Sequence, residues 1–342
     1  MKRIISMFLA ILVFALSIDI AVYHTFAATD NTVVNIWGGL QSAHSGGSFV
    51  KGNGTEEDPY IIENGDQLYL MIYNFGTTDK QLNGNAAHYK LGCDIYLNDI
   101  SNYSSWGKSG FDMSSLNNWS KFEDSFCHRT FYGNFNGDGH TIYGLYAHSY
   151  RISAFFPNVG HGAVIRNVNF KKSYVVNTSN INSNDQEDLG DTVGQKIWYA
   201  GAYGSAGVLL SRADAAGDSD YNTVDYTINN CSIIDAYVEA KYFTSAFVAA
   251  ANSCQPYIAN CMTANITLNS TSSTQGVEGA IMNMPYGSTN PTCNMENILA
   301  VGYPIYGASR DEMWSGLKKP SMSHTYTFKN VYSTVSNKYT FN

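Results

Sequence analysis

Five segments, Ile165-Arg166-Asn167-Val168, Ile228-Asn229-Asn230-Cys231, Ile258-Ala259-Asn260-Cys261, Met295-Glu296-Asn297-Ile298 and Phe328-Lys329-Asn330-Val331, repeat one form: an apolar residue, any residue, an asparagine, a second apolar residue. Their asparagines stand 63, 30, 37 and 33 residues apart. Between them recurs a small, apolar block: Ser205 to Leu210, Ser245 to Ala250 and Gly279 to Met284. Recurrence at this period marks a repeat architecture. Each repeat holds two or three short strands, too few to bury their own hydrophobic face, so the repeats must stack. Stacking sets equivalent residues about 4.8 Å above one another. Ile165, Ile228, Ile258, Met295 and Phe328 then form one interior column, and Val168, Cys231, Cys261, Ile298 and Val331 the next. The asparagines fall at a bend, where their amides can bond to the rungs above and below.

The pattern predicts an all-β fold, a right-handed parallel β-helix (solenoid). A multi-sheet sandwich is the rival, and it needs no column of equivalent residues. Helix signals are scarce. The best is Gly65 to Phe75, where Leu68, Met71, Ile72 and Phe75 fall at helical spacing; it predicts a short N-terminal capping helix. The 63-residue interval contains one small apolar block, so it reads as one rung with polar insertions near 177–196 and 211–224. These flank the strand carrying Trp198, Tyr199 and Tyr203, and loops on a rigid scaffold are where function usually sits.

Composition narrows the function class. Of 342 residues, 44% are hydrophobic and only 14% are charged, against about 25% in an average soluble protein. Tyrosine, at 25, outnumbers the 20 lysines and arginines. With 28 acidic residues the net charge is −8, and no basic cluster is available to neutralise phosphates. Nucleic acid is excluded as an expected partner. Residues 1–28 read as a secretory signal: Lys2 and Arg3, an apolar stretch from Ile4 to Ile18, then Thr25-Phe26-Ala27-Ala28 as the cleavage region. The alternative is a membrane anchor, but the stretch is shorter than the roughly 20 apolar residues that span a bilayer. No later segment is apolar enough to span. The expectation is a secreted chain, extracellular or surface-associated, with residues 29–342 as a single domain.

A second group of residues carries a family resemblance. Trp37-Gly-Gly, Gly52 to Ile62, Asp66-Gln67-Leu68, Tyr89 to Leu97 and Phe131 to Leu145 resemble the opening rungs of bacterial cell-surface β-helix proteins with GLUG-type repeats. In that family such modules are found near immunoglobulin-A-peptidase-like proteins. The resemblance covers residues 37–170 well and the Asn-centred rungs, 171–342, more loosely. It implies the fold; the shared residues are structural and imply little about activity. Cys93 and Cys127 depart from the family pattern. Export permits disulfides, and the architecture suggests three pairings: Cys93 with Cys127, Cys254 with Cys293, and Cys231 with Cys261. For the last pair, two stacked core thiols are an equal alternative. No cysteine or histidine spacing suggests zinc.

Several constellations invite a chemical reading. Gly160-His161-Gly162 is similar to a polygalacturonase segment, but the chain has no Asp-Asp and no Arg-x-Lys to accompany it, so a turn is expected. Pectate-lyase signatures are not recognisable. Asn136-Gly-Asp138-Gly-His140 could be read as an acid/base pair, but the reading preferred is a tight turn. No catalytic residue is nominated. The insertions carry Asp185, Glu187, Asp188, Asp191, Asp218 and Asp220, which could hold calcium, a cation taking roughly six to eight oxygen ligands, or remain a solvated loop. Trp198, Tyr199, Tyr203, Tyr237 and Tyr242 suit a carbohydrate or protein surface, or they cover a β surface by strand propensity. The expected function is a secreted or cell-surface non-catalytic module for adhesion or for glycan or protein binding, with a polysaccharide or a host or bacterial surface glycoprotein as partner. The alternative is a polysaccharide-degrading enzyme, a lyase or glycoside hydrolase. No LPxTG sorting signal or dockerin-like repeat is read.

Overall fold

Asparagine enters the left-handed backbone region more readily than other non-glycine residues. Asn167, Asn230, Asn260, Asn297 and Asn330 all stand there, with φ between 54 and 55°. Each turns the chain from one strand direction to the next, and each side chain donates to an asparagine of the preceding rung: Asn167 to Asn136 at 2.9 Å, Asn230 to Asn167 at 2.9 Å, Asn260 to Asn229 at 2.8 Å, Asn297 to Asn260 at 2.9 Å and Asn330 to Asn297 at 2.9 Å. A second bend follows five residues after Gly139, Asn167, Asn230, Asn260 and Asn297. Gly144, Lys172, Asp235, Asn265 and Gly302 occupy it, all with positive φ.

The structure is a computed structural model and describes residues 35–39, 48–73, 87–120, 130–150, 152–179, 204–214, 224–252, 254–272, 276–283, 285–286, 292–307 and 325–335. Among them the chain is mostly β, and every strand pairing is parallel. The largest sheet has thirteen strands and is curled; the others have seven and three. Strands Cys254–Ser270, Thr292–Ala300 and Thr325–Ser333 run unbroken through the asparagine bend, which is how two walls become one sheet.

The anticipated columns are present in register. Tyr60, Tyr89, Phe135, Ile165, Ile228, Ile258, Met295 and Phe328 pair in succession. From Tyr89 to Met295 none is more than 2% exposed, whereas Phe328, in the last described strand, is 40% exposed. Val168, Cys231, Cys261 and Ile298 are buried beside it. Each fully buried aliphatic or Phe side chain contributes about 1.5–3 kcal/mol, so an interior column is the main source of cohesion between rungs.

The opposite wall corrects one alignment. Gly207, Ser245 and Gly279 are the equivalent residues, so the first small apolar block begins two residues later than its Ser205 start. Leu210, Val248 and Met282 pair, and Leu209, Phe247 and Ile281 are fully buried beside them. Apolar volume, not the shared Ser-Ala, fixes the register.

The helix forms over Gly65–Tyr73, and Phe75 lies outside the described residues. Asn64 caps it by accepting from the Gln67 amide at 2.9 Å, while the Gln67 side chain accepts from the Glu63 amide at 2.7 Å, a relative of the capping box with the return bond one residue earlier. Its face of Leu68, Met71 and Ile72 is buried. Trp37 stacks on Tyr69, and its indole N–H donates to Asp66 at 2.9 Å.

The disulfide expectations are corrected: no disulfide joins the described cysteines. Cys293 is level with Pro256, since Tyr257 pairs with Asn294 and Ile258 with Met295. Cys254 is therefore offset from it by two residues along the strand, roughly 8 Å between Cα atoms, beyond disulfide reach. Cys231 and Cys261 are stacked one rung apart, but in-register parallel strands hold their Cβ atoms further apart than a disulfide prefers. Both thiols instead donate to backbone carbonyls, Cys231 to Asn229 at 3.3 Å and Cys261 to Ala259 at 3.0 Å. Cys93 donates to the Glu63 carbonyl at 3.2 Å, and Cys127 lies outside the described residues. The insertion bounds also shift. Strand Asn169–Asn177 reaches into the first, and strand Leu210–Asp214 occupies the start of the second. Residues 1–28 are outside the described set, and no described helix is long and apolar enough to cross a membrane.

Candidate ligand-binding face

Residues on a strand alternate between the core and the outside. In strand Asn169–Asn177 the core takes Phe170, Ser173 and Val175; in strand Ser232–Ala240 it takes Ile233, Ala236 and Val238. Tyr174 and Tyr237 therefore face outward, and they are in register. One rung before them stands Tyr146, one rung after them Thr267. The neighbouring outward column reads His148, Val176, Glu239 and Asn269.

The rings do not present flat faces at even spacing. Tyr174 and Tyr237 stack on each other, centroids 4.7 Å apart and planes within 16°. Parallel strands lie about 4.8 Å apart, so equivalent aromatic rings are held at stacking distance and turn their edges outward. Tyr96 and Tyr143 repeat the arrangement at 4.6 Å and 9°. Tyr146 continues the column in a tilted contact with Tyr174 at 6.4 Å.

A loop clasps the upper part of this column. Tyr103 sends its hydroxyl between the carbonyls of Ser173 and Asp235, at 2.8 and 2.9 Å. Burial, then the Asp235 charge, pushes that phenol well above its ordinary range. Trp106 is buried edge-on against Tyr103. Gly107, at a φ of 72°, passes so close to Tyr174 that a Cβ there would lie 2.0 Å from the phenolic oxygen and would have to displace it.

The lower part is built from polar groups. The Tyr237 hydroxyl donates to Glu239 Oε2 at 2.5 Å, and the Asn269 amide donates to the same oxygen at 2.7 Å. Partial burial, then this bond to Glu239, pushes the Tyr237 phenol up to about 12. Below Thr267 the sheet stops, because the next rung turns away after Ala300 at Gly302. The edge left behind is capped by side chains: the Leu268 amide donates to the Tyr303 hydroxyl at 3.0 Å, and the Ser270 amide to Glu278 Oε1 at 2.9 Å.

Of the two nominated binding residues that are described, Tyr237 belongs to this face and Tyr242 does not. Tyr242 is buried in a separate cluster with Phe243, Ala250 and Val277, with the Lys241 ammonium 5.3 Å from its ring centre. Trp198, Tyr199 and Tyr203 lie outside the described residues, as do the calcium candidates Asp185, Glu187, Asp188, Asp191, Asp218 and Asp220. Among the described residues no cluster of three acidic, histidine or cysteine side chains could hold a metal. The two turn readings are visible directly. Asp138 has a φ of 53°, accepts Lys90 at 2.9 Å and donates its amide to Asn136; Gly162 has a φ of 81° after His161. Tyr146, Tyr174, Glu239 and Asn269 were missed, although a signal exists. Tyr174, Tyr237 and Thr267 each stand seven residues after a bend asparagine, and Tyr146 seven after the bend glycine Gly139.

No protein-family model matches the chain, and no curated protein matches it. Among solved structures it is similar to one described as a "putative immunoglobulin A1 protease from Bacteroides ovatus", at 18% identity over 84% of this chain and 87% of that one, with a TM-score of 0.34. A likeness that distant carries no argument about activity.

Proposed function

We propose that the chain is an exported, surface-associated and non-catalytic module that binds glycan through the outward tyrosine face, on a right-handed parallel β-helix scaffold of the GLUG-repeat kind. The all-parallel pairing supports the scaffold, because parallel strands need crossover connections and those are right-handed in about 98% of cases. The observation that carries the binding reading is the lower end of the tyrosine column, where the ring face of Tyr237 not covered by Tyr174 stands beside Glu239 and Asn269. Aromatic faces with adjacent hydrogen-bonding side chains are what a sugar ring requires: apolar C–H faces on one side, hydroxyls at the rim.

The test is to mix residues 29–342 with a panel of insoluble polysaccharides, with and without calcium, and to assay the supernatant for protein depletion and released oligosaccharides. Depletion without products is the expected result. Released products would overturn the non-catalytic reading and direct attention to the acidic insertions. A calcium-dependent depletion would assign those insertions to the metal. Absence of both depletion and products would remove the glycan reading and leave a protein partner.

A further inference from the structure

We infer that the ligand is a single neutral pyranose at the end of a glycan chain, seated where the tyrosine column stops; this rests on the glycan-binding reading above. Stacking at 4.7 Å covers the facing sides of Tyr174 and Tyr237, so no ligand can insert between them. The far side of Tyr237 looks toward Thr267, which is small and exposed. Among the described residues no strand fills that space, and the edge there is closed by Tyr303 and Glu278. Side-chain capping blocks strand addition, so the notch suits a compact ligand rather than an extended peptide.

Its dimensions and charge choose the ligand. One open ring face accommodates one sugar ring, whereas a chain lying across the surface would need several faces in a row. Glu239 Oε2 is taken by Tyr237 and Asn269, which fixes the carboxylate and leaves Oε1 to accept a sugar hydroxyl. An oriented carboxylate receives a neutral polyol and repels a uronate, sialate or sulfate.

Thr267→Tyr tests this without endangering the fold, since it continues a stack the register already supports. Binding of methyl glucoside, galactoside and mannoside, and of glucuronate, would be followed by NMR titration on wild type, Thr267→Tyr and Glu239→Gln. Expected are binding of at least one neutral pyranoside by wild type, none of glucuronate, and a loss of about tenfold or more in Thr267→Tyr, equal to about 1.4 kcal/mol, with unchanged thermal stability. Glu239→Gln should weaken the neutral ligand and admit glucuronate. Polysaccharide binding that survives Thr267→Tyr, or that simple pyranosides fail to compete, would overturn the chain-end site while leaving the glycan-binding reading standing. If wild type binds no glycan at all, both fall.

Discussion

At the scale of single residues, the left-handed bends set the strictest demands. A non-glycine, non-asparagine residue there costs roughly 1–2 kcal/mol, and a lost ladder hydrogen bond about 1 kcal/mol more. Asn260→Ala should therefore lower unfolding free energy by about 2–3 kcal/mol in urea titrations, and Asn260→Gly, which relieves the backbone term, by clearly less. Equal losses would show that φ is not what asparagine supplies. Lys172 is the converse case, a long side chain at φ 58° where the next rungs have Asp235 and Asn265. Lys172→Asn should raise stability by about 1 kcal/mol. The thiols give a third expectation. Burial pushes Cys261 and Cys293 far above the usual thiol range, and thiolate is the reactive form. Both should resist a maleimide in the native protein and label fully in denaturant without reductant. Failure to label after unfolding would restore the disulfides.

At the scale of elements, an edge strand is a hazard that proteins cover, and Tyr303 covers this one. Tyr303→Phe removes the partner of the Leu268 amide. It should cost about 1–2 kcal/mol and produce concentration-dependent association in light scattering; scattering unchanged from wild type would show that Glu278 alone suffices. Elements also show what the sequence could and could not reveal. The first bend is legible because its geometry selects asparagine almost uniformly. The second is harder to read because it accepts Gly144, Lys172, Asp235, Asn265 and Gly302: four of them enter the left-handed region readily, but no single residue type recurs there. Tyr237 is legible as an outward aromatic. Its pairing with Tyr174, 63 residues earlier, emerges only once register is known. The same missing register made Cys254 and Cys293 look adjacent, since they precede their asparagines by six and four residues.

For the whole molecule, phenols distributed through the fold set its alkaline limit. Complete burial pushes Tyr226 well above its ordinary value, burial likewise raises Tyr103, and Tyr237 rises to about 12. A raised value in the folded state means protons are held more tightly there than in the unfolded chain, where tyrosine titrates near 10. Stability from these groups is complete below about pH 10 and declines as pH rises through the folded values. Phenolate absorbance and β circular dichroism should change together, cooperatively, above that pH. Smooth ionisation near pH 10 with the β signal intact would contradict the burial of Tyr226 and Tyr103.

The asparagine ladder has one further property. In each of these five amide contacts the N–H points back to an earlier rung and the accepting carbonyl oxygen points onward. Aligned amides polarise one another, so the spine has a head and a tail, as a row of magnets does. Any asparagine laid against Asn330 would meet an acceptor and must offer its N–H. Lengthening the protein by inserted repeats would succeed in one orientation and fail in the reverse.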